Sequence, residues 1–133
     1  MTREERSAYA KLRIESANKT FQAAVILAQN GFWNSAVNRL YYSVFYAVNA
    51  LLVCNEVYTQ THSGMRNQFS KVFIKTGKLD KKYGKLLTQL YDWRQKGDYE
   101  NLYDFTEETV YQLFEPVKEM LETIESEIIK YWL

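Results

Sequence analysis

Turn-forming residues are scarce in this sequence: there are five glycines and one proline in 133 residues. So few chain breakers leave room only for a small number of long elements. There is one cysteine, Cys54, so no internal disulfide forms; this matches a reducing compartment. One cysteine and one histidine cannot furnish the roughly four ligands of a structural zinc site, and no metal or cofactor is expected. A Gly-rich phosphate cradle of either the P-loop or the Gly-x-Gly-x-x-Gly type is absent. The longest apolar runs, such as Ala23 to Ala28, are far too short to span a bilayer. The opening Met1-Thr2-Arg3-Glu4-Glu5-Arg6 does not read as a signal peptide, and a cytoplasmic location without membrane contact is the expectation.

What is present is ordinary globular composition, 47% hydrophobic and 25% charged. The length suits one domain, residues 1–133, with a core of its own. The net charge of +1 conceals an asymmetry. Residues 1–65 carry +2, residues 66–96 carry +7 and residues 97–133 carry −8. A basic block is thus followed by an acidic end.

Apolar spacing throughout has the helical period, and no strand signal competes. Thr2 and Glu5 have capping-box spacing and start a helix near residue 3. Along it, Ala10, Ile14, Ala17, Phe21, Ala24 and Ala28 form a narrow seam of mostly small residues. Asn30-Gly31 ends it. A second helix spans about Phe32 to Cys54, with Trp33, Ala36, Val37, Leu40, Val44, Ala47, Val48 and Leu51 on its core face. At 100° per residue the opposite stripe is Ser35, Arg39, Tyr42, Tyr46 and Asn49. Thr61-His62-Ser63-Gly64 reads as the cap of a short third helix ending near Gly77. A fourth runs from about Asp80 to Gly97, where it is expected to close, leaving Asp98 to Phe105 as a loop. Thr106 starts the last helix, which Pro116 is expected to kink or divide. The fold class is therefore all-α, an up-and-down bundle of about five helices.

Four groups carry candidate chemistry. Arg94 falls on the apolar stripe of the fourth helix, where a guanidinium needs a partner. Asp98 supplies one as a structural ion pair; the other reading aims Arg94 at a phosphate or a reacting group. The Arg39, Tyr42, Tyr46 stripe is either a packed helix or dimer interface, or the wall of a cleft. Lys71, Lys75, Lys78, Lys81, Lys82 and Lys85 form either a solvated face or a surface for RNA or an acidic partner. Several of these lysines crowd a helix start, where positive charge opposes the helix dipole. His62 is expected at a helix start rather than on a metal.

Four motifs in order resemble those of the HEPN family, the higher eukaryotes and prokaryotes nucleotide-binding domain. The first is Arg39-Leu40-Tyr41-Tyr42-Ser43-Val44-Phe45-Tyr46 continued by Ala47 to Leu52. Thr61-His62-Ser63-Gly64 with Phe69 follows, then Arg94 through Asp98-Tyr99, then Asp104-Phe105-Thr106-Glu107-Glu108. The similarity covers nearly the whole chain and is greatest to small stand-alone prokaryotic members, many encoded beside a minimal nucleotidyltransferase.

The resemblance implies a bundle with a long antiparallel helix pair, a homodimer and a cleft near the dimer interface. It places Arg39, Tyr42, Tyr46, His62, Arg94, Asp98 and Tyr99 in or near a nucleotide- or RNA-binding cleft. Many HEPN proteins are metal-independent endoribonucleases, some of them toxins, with a motif of Arg, four to six residues, then His. Arg94 matches the arginine, but the histidine positions hold Tyr99, Glu100 and Asn101. Tyrosine titrates near pH 10 and is a poor base at neutral pH. The first expectation is therefore a binding module, dimeric and paired with a nucleotidyltransferase, without the usual ribonuclease activity. The alternatives are an RNA-cleaving toxin using Arg94 with Asp98 or Tyr99, and a purely structural dimerisation bundle.

Overall fold

Thr2 opens the first helix as expected. Its hydroxyl accepts from the Glu5 amide at 3.1 Å, and the Glu5 carboxylate accepts from the Thr2 amide at 3.1 Å. These reciprocal bonds satisfy two of the donors that every helix start leaves free. In this computed structural model, which describes residues 1–99 and 104–132, helix α1 spans Arg3–Gln29. It stops at Gly31, which holds φ +79°, and the Phe32 amide returns to the Leu27 carbonyl at 2.9 Å. Such a cap needs a residue at ease with positive φ.

Helix α2 (Trp33–Cys54) runs back along α1, giving the long antiparallel pair. The α1 seam is what lets the two helices close: Ala10, Ala17, Ala24 and Ala28 are all buried. Of the two bulky members, Ile14 is buried with the alanines, whereas Phe21 is half-buried and meets Phe114 edge to face at 5.7 Å. Helix α2 also touches each remaining helix, α3 (His62–Phe69), α4 (Lys81–Tyr99) and α5 (Glu107–Trp132). Its buried set is accordingly wider than one stripe. Tyr41, Ser43, Ala50, Leu52, Val53 and Cys54 are buried along with the expected core face, except that Trp33 is only half-buried. The chain is thus an all-α bundle of five helices, with no strand among the described residues.

Three features differ from the sequence expectation. Beyond Phe69 the third helix relaxes into a π-helical turn, Ser70–Ile74, in which the Lys75 amide reaches the Ser70 carbonyl at 2.8 Å. Gly97 does not close α4, which continues through Asp98 to Tyr99. A Cβ on Gly97 would lie 3.2 Å from the Phe105 ring and 3.4 Å from Asn34. This glycine therefore serves close approach of α4 to α2 rather than a helix stop. The expected loop shrinks: Asp104 to Thr106 are irregular, and residues 100–103 lie outside the described part.

Pro116 does not divide α5. Its position is exposed, so the Gln112 carbonyl deprived of its helical donor sits on the wet side, where water can bind it. Meanwhile Val110, Leu113, Val117, Leu121, Ile124 and Ile128 hold the opposite side in the core on both sides of the proline. The start of α5 is capped by Thr106, whose hydroxyl accepts from the Thr109 amide at 3.3 Å.

A cationic and aromatic candidate site

Arg94 is 7% exposed, and three tyrosines surround it. Its guanidinium carbon lies 5.1 Å from the Tyr41 ring centre and 5.5 Å from those of Tyr42 and Tyr91. The same helix supplies Tyr91, one turn back; Tyr41 and Tyr42 come from α2. Nη1 donates to the Tyr42 hydroxyl at 3.2 Å and stands 3.9 Å from Asp98 Oδ2. Nε has no oxygen partner and is buried among the rings. Ring faces therefore provide much of what a carboxylate would ordinarily give a buried guanidinium.

Asp98 is held more closely by another residue. Asn38 Nδ2 donates to its Oδ2 at 2.9 Å, while Asn38 Oδ1 accepts from Arg39 Nε at 2.9 Å and Nη2 at 2.7 Å. The Arg39 guanidinium in turn lies 5.2 Å from the Tyr42 ring centre. One asparagine thus couples Arg39 to Asp98 and leaves Arg94 with only a long contact to that carboxylate.

His62 is the first residue of α3, with Thr61 capping it by accepting from the Gly64 amide at 2.9 Å. Its ring enters the same cluster, centred 5.0 Å from Phe45, 5.7 Å from Tyr41 and 6.0 Å from Tyr91. Nδ1 lies 2.6 Å from the Tyr41 hydroxyl, the sole hydrogen-bond partner of that group among the described residues. Tyr41 is fully buried, and burial holds its phenol well above the ordinary tyrosine range. The 2.6 Å contact ties the Tyr41 hydroxyl to the Nδ1 side of the imidazole and leaves Nε2 as the ring nitrogen without that partner. Burial lowers the His62 pKa, and the nearby Arg94 and Arg66 cations lower it further. His62 is therefore a neutral imidazole at neutral pH.

That shift has a measurable consequence. Below about pH 6.5 the unfolded chain binds a proton at this histidine that the folded protein resists. Stability attached to His62 is complete above about pH 6.5 and is lost as the pH falls towards the lower folded value. Urea midpoints at neutral and mildly acid pH should thus fall less in His62→Gln than in the unaltered protein. An equal fall in both would show that the acid sensitivity lies elsewhere.

The remaining candidates divide. Tyr46 touches Tyr42 and Phe45 but belongs equally to the α1 side, where Arg13 lies 5.3 Å from its ring centre. There Arg13 donates to the Tyr9 hydroxyl at 3.0 Å, and Tyr9 to Asn49 Oδ1 at 2.8 Å. Tyr99 is exposed at the end of α4. Glu100 and Asn101 lie outside the described residues.

The lysines take separate places. Lys82 pairs with Glu119 at 2.6 Å, and Lys78 borders a cavity with Glu127 and Tyr131. Lys71 and Lys75 are exposed around the π-helical turn. Lys81 and Lys85 line a groove with Arg66. Among the described residues no group of three or more His, Cys, Asp or Glu side chains could hold a metal ion, and no helix is long and apolar enough to cross a membrane.

Sequence reasoning missed Tyr41, Tyr91, Arg66 and Asn38 as members of the cluster. Helical spacing offered a signal for two of them. Tyr91 is three residues before Arg94, and Arg66 is four after His62, so each shares a face with a residue singled out. Arg66 lies over Tyr91 at 3.9 Å. With Arg39, Arg66 and Arg94 against the single carboxylate of Asp98, the cluster is strongly cationic and lined by rings. Such an arrangement suits an anion carrying an aromatic group.

Known proteins resemble this chain along most of its length. It is 38% identical over 109 residues to a UPF0332 protein of Thermotoga maritima, covering 82% of this chain and 83% of that one. Two proteins of Methanocaldococcus jannaschii named as candidate toxins are 41% and 35% identical. Each alignment covers 65% of this chain, and 59% and 64% of the respective toxin candidate. The family model described as the HEPN domain matches residues 10–127, a span that takes in α2, the His62 cap and Arg94 together. By that match, and with the motif residues of α2, α3 and α4 meeting at one site, the chain belongs to the HEPN domain family.

Proposed function

We propose that this protein is a nucleotide- or RNA-binding HEPN module of a toxin–antitoxin-type pair. It acts as a homodimer, is partnered by a minimal nucleotidyltransferase, and does not cut RNA by the usual arginine–histidine chemistry of the family. The observation that carries this reading is the cage around Arg94, which joins three arginines to a cluster of edge-to-face tyrosines. Cations engage phosphate, and rings engage bases. The missing motif histidine supports binding over cutting: its positions hold Tyr99, Glu100 and Asn101, and the one histidine of the chain, His62, comes from another helix and has its Nδ1 engaged with the Tyr41 hydroxyl. Asp98 is committed to Asn38.

A second reading has its own support. The one histidine of the chain does enter the Arg94 cage, and two relatives are named as candidate toxins. It makes the protein a metal-independent ribonuclease.

Incubating the purified protein with end-labelled RNA in EDTA separates the two. Retention of intact RNA is the expected result. Cleavage would replace the first reading by the second, and failure to retain either RNA or a mononucleotide would overturn both.

A further inference from the structure

A groove of about 780 Å³ runs between α4 and the α3–π-helical segment. That volume is within the range of about 300–1,000 Å³ typical of ligand sites. Its lining is one-sided in charge. Arg66, Lys81 and Lys85 contribute three cations and Asp92 the one carboxylate. Lys81 and Lys85 are exposed, and neither joins an ion pair among the described residues, unlike their neighbour Lys82. Four residues apart on α4, they stand about 6 Å apart along the helix axis. Further along the same helix, Thr88 adds a hydroxyl and Trp93 an aromatic ring at the groove wall. Trp93 is half-buried and steadied by Phe105, with ring centres 5.3 Å apart.

Two features tie this groove to the cage. Arg66 belongs to both, lining the groove while its guanidinium stacks on Tyr91, which also flanks Arg94. Arg66 Nε has no oxygen partner of its own. At the floor, α4 approaches the π-helical turn so closely that a Cβ on Gly84 would lie 3.3 Å from Ile74 Cγ1. A larger residue at 84 would press on that floor.

We propose that this groove is the track of a single-stranded RNA. Its phosphates lie along Lys85, Lys81 and Arg66, a base rests on Trp93, and one end of the strand enters the Arg94 cage. The proposal rests on the nucleic-acid reading of the cage and extends it: the cage takes one nucleotide and the groove takes the flanking strand. Backbone charge and stacking, rather than base-edge contacts, dominate the lining, so the track favours single strands with little sequence preference.

The test uses fluorescence anisotropy in EDTA with two probes, labelled UMP and a labelled oligouridylate of about ten nucleotides. Lys81→Gln/Lys85→Gln is compared with the unaltered protein over a series of salt concentrations. Both positions are exposed, so the fold is retained, which far-UV circular dichroism checks. The expected result is an approximately tenfold loss of oligouridylate affinity with UMP binding unchanged. The salt slope should shrink by about 1.4, from about 0.7 for each phosphate contact removed on a single strand. Unchanged oligouridylate binding would overturn the track while leaving the cage intact. Parallel loss of both probes would also overturn it, because the lysines would then serve the cage. No binding of either probe by the unaltered protein would remove the cage reading and the track with it. Displacement of the oligouridylate by polyglutamate at equal charge would reassign the groove to an acidic protein surface.

Discussion

Arg94→Ala should lower affinity for RNA and for a mononucleotide about 10- to 100-fold, with the helical content retained. The estimate follows from the charge-assisted bonds that one guanidinium gives a phosphate, about 1.5–3 kcal/mol, at about 1.4 kcal/mol per factor of ten. Both probes should suffer, which distinguishes this change from the groove variant. Arg94→Lys should recover little of the loss. Lysine restores the charge, but a compact ammonium cannot engage the Tyr41, Tyr42 and Tyr91 rings and the Tyr42 hydroxyl together as the planar guanidinium does. Stability should change much less than binding, because Asp98 keeps its bond from Asn38 when Arg94 is gone. Anisotropy with UMP and with a short oligonucleotide measures the effect. Affinities for the alanine variant within twofold of the unaltered protein would show that the cage is a structural cluster and nothing more.

Ala17→Leu/Ala24→Leu is expected to have the largest effect on folding. Both alanines are essentially inaccessible, at 1% and 0% exposure, in the seam where α1 meets α2. A leucine at either position must push the helices apart or take a poor rotamer, at about 1–3 kcal/mol each. The sites are two turns apart, about 10 Å along the helix, so the effects should add to about 2–6 kcal/mol. That is a large part of the stability of a typical domain, about 5–15 kcal/mol. The matching control is Lys19→Leu, on the exposed side of the same helix, which should be nearly neutral. Urea denaturation gives the comparison. A double variant as stable as the control would mean that the seam is loose and that small residues are not required there.

Much of the fold was legible because helix signals are local. The Thr2 and Glu5 cap, the glycine stop at Gly31, the Thr61 cap and the Thr106 cap all involve residues within a few positions of one another. The apolar period likewise marks which side of a helix is core. Gly97 is expected from its residue type to close α4 and does not; of the two outcomes expected at Pro116, a kink or a division, the continuous α5 excludes the division. In both cases the helix is carried on by contacts from outside its own segment. At Gly97 the reason is Asn34 and the Phe105 ring. At Pro116 it is the core contact made by α5 on both sides of an exposed proline.

The site shows the same division more sharply. By itself the sequence determined that Arg94 lies on a buried stripe, that Arg39, Tyr42 and Tyr46 share a face of α2, that His62 begins a helix, and that the middle of the chain is basic. Each of these follows from residue type and helical period, which act over a few residues. Only the tertiary structure decided that Arg94 and His62 share one cage of tyrosines, that Asp98 belongs to Asn38, and that Lys82 is engaged by Glu119 whereas Lys81 and Lys85 face a groove. Those outcomes depend on which helix faces lie against each other. Helical period fixes the direction of a side chain about its own axis, while the packing of one helix on another fixes what stands opposite it.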